Sequence, residues 1–126
     1  VPLIKDYPND CMFCSDDKHP DDLVIGHINE LVKRALKAGF DKMKVLKCAS
    51  VNPVLHYGLD IGLLQKGDPA DFVFIDNFED FNILITYING KIVAENGKSL
   101  LPQVKTKEIN NFKAEKKEVS EFYLKK

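Results

Sequence analysis

Between Asp22 and Ala38 the apolar residues Leu23, Ile28, Leu31, Val32, Ala35 and Leu36 recur at three- and four-residue spacing, opposite Glu30, Lys33, Arg34 and Lys37. That period predicts one amphipathic helix. Asp21 or Asp22 is placed to accept hydrogen bonds from its free N-terminal amides, the basic residues suit its C-terminal dipole end, and Gly39 suits a left-handed stop. A second helix is expected from Asp41 to about Ser50, with Met43, Leu46 and Ala49 inward. Asn52-Pro53 then opens a short helical turn, asparagine as cap and proline at the first helical position, ending at Gly58.

After Gly58 the helical period gives way to strands punctuated by glycine. Gly62 and Lys66-Gly67-Asp68 mark turns, and Asp71 to Ile75 reads as a strand. Ile83, Ile85 and Tyr87, then Ile92 and Ala94, flank Asn89-Gly90, a pair suited to the two positive φ angles of a type I′ hairpin. Strands are therefore expected from about Asn82 to Ile88 and from Lys91 to Glu95, with a further turn at Asn96-Gly97. Upstream, Cys11-Met12-Phe13-Cys14 is a short apolar run without helical period and reads as a buried strand. The segment from Lys105 onward is dominated by lysine and glutamate, with Ile109, Phe112, Val119, Phe122 and Leu124 scattered through it. It reads as a charged tail or the start of a further C-terminal domain, in which Phe112, Phe122 and Tyr123 would serve as anchors for a partner domain.

With 126 residues and 44% hydrophobic content the chain has room for one domain or pieces of two. A formal net charge of -1, from 18 basic and 19 acidic residues, supplies no global field for nucleic acid or an anionic membrane. No apolar stretch approaches the roughly 20 residues of a membrane-spanning helix, and the opening Val1 to Asp6 lacks a signal peptide's layout, so a cytoplasmic location is expected. Cys11, Cys14 and Cys48 are expected to be reduced and buried. The Cys11/Cys14 pair lacks the second pair of a four-ligand zinc site, and on a strand the two would face opposite ways.

The densest chemistry lies in Phe13-Cys14-Ser15-Asp16-Asp17-Lys18-His19-Pro20-Asp21-Asp22. Carboxylates just past the C-terminal end of a strand sit where α/β proteins place catalytic groups. The structural alternative is a polar turn at Asp16-Asp17 leading into a helix cap. His27, inside the expected helix, reads as a surface or packing imidazole, and His56 as structural.

Taken together, these segments resemble the adenine deaminases of the amidohydrolase superfamily. Cys14 to Pro20 is similar to the end of that family's eighth barrel strand, and Gly26-His27-Ile28-Asn29 with Val32 to Ala35 to the helix after it. Ala49 to Pro53, His56 to Leu59 and Gly62 to Asp71 resemble the passage from barrel to β-sandwich, and Ile88 to Val93 the hairpin that follows. Lys66 to Asp71 and the hairpin indicate only the superfamily; Ser15 to Asp22 followed by Gly26-His27 is similar to adenine deaminases in particular.

The resemblance implies an α/β to α+β fold. Residues 1–58 would form the last strand and helices of a (β/α)8 barrel, 59–104 part of a flanking β-sandwich, and 105–126 the tail or next domain. It implies hydrolysis of adenine to hypoxanthine and ammonia by metal-activated hydroxide. The ion would be Mn2+, with Fe2+ or Zn2+ as alternatives. Asp16 matches the position that contacts metal and carries the proton, and Asp17 and His19 would orient it or touch the purine. The family's first-strand His-x-His pair, its bridging group and its two later histidines have no counterpart here. The chain is therefore expected to be a C-terminal fragment, inactive alone, of a homo-oligomeric enzyme. Two other readings stand beside this one: another cyclic amidohydrolase, or a self-standing α+β module that binds a partner.

Overall fold

The computed structural model describes residues 2–105, 107 and 109–123; Val1 and Leu124 lie outside them. The helices are α1 (Leu3–Asp6), α2 (Pro20–Ile25), α3 (Ile28–Lys37), α4 (Lys42–Ala49) and α5 (Val51–Tyr57). Strands β1 (Phe72–Ile75), β2 (Ile83–Ile88), β3 (Lys91–Glu95) and β4 (Lys98–Ser99) follow, and a 3-10 turn spans Val119–Phe122.

The expected helix over 22–38 is two helices, broken at Gly26-His27. Its first part does not share the buried face: Leu23 is exposed, and Val24 and Ile25 are 88% and 80% exposed. The buried stripe starts with α3, where Val32 and Ala35, one turn apart, face inward. Asp21 and Asp22 do not cap α2. His19 is the N-cap, Pro20 occupies the first helical position, and the aspartates lie inside the first turn. The stop at Gly39 is as expected: its φ of 83° is left-handed, its amide donates to Leu36 O at 2.9 Å, and the Phe40 amide donates to Ala35 O at 3.3 Å. This is a Schellman closure, which satisfies carbonyls the helix end leaves free.

Helix α4 starts on a side-chain cap, the Lys44 amide donating to Asp41 Oδ1 at 3.0 Å. Met43 does not point inward. It is 72% exposed, because the inward face of α4 is the one carrying Val45 and Cys48, three residues apart: Val45 packs in the core with Val32 and Ala35 of α3, and Cys48 meets the N-terminal segment at Pro8. Leu46 and Ala49 pack beside that core. Asn52 is not a cap either. Ser50 precedes α5, and Asn52 is buried within the helix, its Nδ2 donating to Pro8 O at 2.7 Å and Cys11 O at 2.6 Å. These bonds hold the N-terminal segment against α5. The helix ends at Gly58 with φ 59°.

The run Cys11–Cys14 is not a strand. The described sheet contains only β1 to β4, and the Phe13 amide donates to Cys48 O at 3.1 Å instead of to a neighbouring strand. A strand needs a ladder partner, and the described residues put a helix end there. The cysteines are all free, but only Cys48 is buried; Cys11 is half-buried and Cys14 exposed.

The sheet is an antiparallel meander in the order β1-β2-β3-β4. Asn89 and Gly90, with φ of 50° and 72°, form the two-residue turn that pairs Ile88 with Lys91. Asn96 and Gly97 repeat the device between β3 and β4, with φ of 48° and 75°. Phe72 and Tyr87 are register partners and stack with centroids 4.6 Å apart. Helices and sheet meet in a small core of Val32, Ala35, Val45 and Phe81, against which Phe13, Leu46 and Ile75 pack. The C-terminal aromatics are exposed, Phe112, Phe122 and Tyr123 alike.

Candidate active site

Two contacts set where the acidic segment begins. The Phe13 amide is tied to the end of α4, and its ring packs on the core between helices and sheet. Past it, Asp16 takes a left-handed φ of 55°, and the Lys18 amide donates to Asp16 O at 2.9 Å, closing a tight turn. Aspartate tolerates this conformation better than most side chains, because its short carboxylate bonds locally. His19 then hands the chain to α2, its carbonyl accepting from the Leu23 amide at 3.0 Å.

The turn is tethered at both sides by neighbours of Asp16. Ser15 Oγ lies 2.7 Å from His27 Nε2, and the Lys18 ammonium donates to the Gly26 carbonyl. The His27 amide in turn donates to Asn29 Oδ1 at 2.8 Å. Asp16, Asp17 and His19 stand exposed on this turn. They share one loop, as the sequence placed them, and their accessible carboxylates and imidazole are free to meet a ligand or an ion.

Among the described residues no three His, Cys, Asp or Glu side chains come together in a way that would hold a metal ion. A catalytic divalent ion ordinarily takes about three protein ligands, and the described residues supply no such set around Asp16. Cys48 is no candidate ligand: burial pushes its thiol up from the ordinary range, Cys11 beside it adds to the effect, and its Sγ donates to Pro8 O at 3.6 Å. His56, exposed near the end of α5, stands edge-on to its neighbour Tyr57 with ring centroids 4.7 Å apart.

The residues that sequence reasoning missed are Ser15, Lys18, His27 and Asn29. Their contacts follow from the break at Gly26. Its signals in the sequence are Gly26 itself and the five-residue step from Leu23 to Ile28; in the structure a Cβ at Gly26 would stand 2.5 Å from Glu30 Cγ.

A second carboxylate shapes the passage into the sheet. Asp71 Oδ1 accepts from the Asn89 amide at 2.7 Å and Oδ2 from the Gly62 amide at 3.0 Å, and these two donors hold its carboxyl below the usual carboxylate range. The Gly90 amide adds a bond to Ala70 O at 3.0 Å. Asp71 thus pins the segment after α5 to the tip of the β2–β3 hairpin.

The family model described as "Amidohydrolase family" matches residues 2–93. The adenine deaminase of Salinibacter ruber is 50% identical over 115 residues, 91% of this chain and 21% of that protein. That of Sulfurovum sp. is 49% identical over 124 residues, 98% of this chain and 23% of the relative. That of Borreliella burgdorferi is 51% identical over 118 residues, 94% of this chain and 22% of the relative. The chain therefore spans about a fifth of the length of these curated relatives. No solved structure matches. No described helix is long and apolar enough to cross a membrane. With the family model covering well over half of its residues, the chain belongs to the amidohydrolase family.

Proposed function

We propose that this chain works as one part of an adenine deaminase, which hydrolyses adenine to hypoxanthine and ammonia, and that Asp16 is its catalytic residue. The observation that carries this reading is the identity of about half to adenine deaminases over nine-tenths or more of the chain. In the whole enzyme Cys11 to Cys14 would pair as the last strand of a (β/α)8 barrel, and the β1–β4 meander would belong to the flanking β-sandwich. The Asp16 turn would then face the barrel mouth, where this architecture gathers its catalytic groups.

Asp16 is suited to proton transfer because its carboxylate is accessible while the backbone on either side is tied down. It would take a proton from the attacking water and return one to the departing amine, one group serving as base and then acid. A divalent ion, Mn2+ in this reading with Fe2+ or Zn2+ as alternatives, would lower the pKa of water toward about 7, with Asp16 among its ligands. Asp17 and His19, on the same turn, would orient Asp16 or meet the purine.

The test is Asp16→Asn in the intact deaminase. The amide cannot carry the proton, so kcat should fall by about 10²–10⁴-fold while the circular dichroism spectrum is unchanged. Asp17→Asn should lose less. Activity of Asp16→Asn within about tenfold of wild type removes Asp16 from the mechanism.

A further inference from the structure

We infer that Ser15 and His27 are positioning residues that hold Asp16 in place, an inference that rests on the proposed role of Asp16. Three observations combine. Ser15 directly precedes Asp16, and its Oγ lies 2.7 Å from His27 Nε2, a contact across twelve positions of sequence. The His27 backbone is held as α3 begins, its amide donating to Asn29 Oδ1 at 2.8 Å. On the far side of Asp16, Lys18 reaches the carbonyl of Gly26, the residue before His27. Two side chains flanking the Asp16-Asp17 pair thus grip two adjacent residues of the α2–α3 break.

The break makes this grip possible. In a continuous helix the Gly26 carbonyl would accept from an amide four residues on and would not be free for Lys18. A larger residue at Gly26 would meet Glu30, whose Cγ is 2.5 Å from an added Cβ. What the grip secures is a left-handed turn, uncommon at any residue but glycine even though aspartate tolerates it better than most. Asp16 has φ of 55°, and such a conformation persists where its surroundings over-determine it. A proton carrier must stay close to its reacting atoms, and a misplacement of about 1 Å can cost about 10²-fold in rate. His27 acts here through Ser15 and the backbone, without touching the substrate.

The experiment is a double-mutant cycle in the intact deaminase with Ser15→Ala, His27→Ala and the pair. Each single variant should lower kcat by about ten- to a hundredfold with KM changed far less, and the pair should lose no more than the worse single. His27→Gln, whose amide nitrogen can stand near the place of Nε2, should recover part of kcat. Losses that multiply in the pair, or singles at wild-type kcat, overturn the inference. The same proteins labelled with 15N-aspartate give a second readout that does not depend on activity. The HN–Hα coupling and order of Asp16 should change in Ser15→Ala and His27→Ala and return toward wild type in His27→Gln. An unchanged Asp16 signal in both alanine variants overturns the inference even if the wild-type enzyme fails to deaminate adenine, an outcome that by itself would sink only the proposed function.

Discussion

Replacing Gly62 by alanine should destabilise the chain more than any other single methyl group added at its glycines. Gly62 is buried, and a Cβ built on it stands 1.8 Å from Pro69 O, 2.9 Å from Pro69 C and 3.4 Å from the Asp71 amide nitrogen. An ordinary carbon-to-oxygen contact is about 3.3 Å, so the two backbones would have to separate by roughly 1.5 Å. No side chain can rotate away to absorb that, because the opposing atoms are main chain. The movement also pulls the Gly62 amide off Asp71 Oδ2, now at 3.0 Å. Overpacking costs about 1–3 kcal/mol, here at the upper end, and the stiffer unfolded chain returns only about 0.4–1 kcal/mol. A net loss of about 2 kcal/mol should lower the urea midpoint, followed by far-UV circular dichroism, by roughly 1 M. Gly26→Ala is the control: its Cβ meets the Glu30 side chain, which can swing aside by giving up its 2.9 Å pair with Lys33, at a cost of about 1 kcal/mol or less. A Gly62→Ala midpoint within about 0.2 M of wild type would refute the close approach of these two segments.

Asn52→Ala should cost about 1–3 kcal/mol, because it strips the donor from two carbonyls, Pro8 O and Cys11 O, and should speed amide exchange across residues 8–13. Unchanged exchange there would mean that other contacts hold the segment. Asp71 should give stability an acid limb. The Asn89 and Gly62 amides depress its folded pKa, so its contribution is complete above an unfolded aspartate's pKa of about 3.9 and is lost as pH falls through the lower folded value. Asp71→Asn should flatten that limb in urea midpoints measured from pH 5 downward, and an identical slope in both proteins would contradict the assignment.

The hairpins were the most legible part of the sequence. Asn89-Gly90 and Asn96-Gly97 each combine residues that accept positive φ, and both form two-residue turns. The Gly39 stop was legible for the same local reason. What escaped depends on contacts distant in sequence. Apolar residues stand on both sides of Gly26, yet it is α3 that packs on α4, while Val24 and Ile25 of α2 stay exposed. Asn52 looks like a cap from its neighbour Pro53, but two carbonyls some forty residues upstream claim its amide. In the site, residue type drew attention to the acidic run from Asp16 to Asp22, and it was the family resemblance that picked out Asp16, Asp17 and His19 within it. The contacts of Ser15, Lys18 and His27 stayed hidden because they arise at the break between α2 and α3.

The most direct test of the central claim compares this chain with the intact protein that carries it, each supplied with Mn2+, by the loss of adenine absorbance and the release of ammonia. The intact protein should convert adenine to hypoxanthine, and the chain alone, with no ligand set completed among its described residues, should not. An intact protein that leaves adenine untouched, or an isolated chain that deaminates it, would contradict the account.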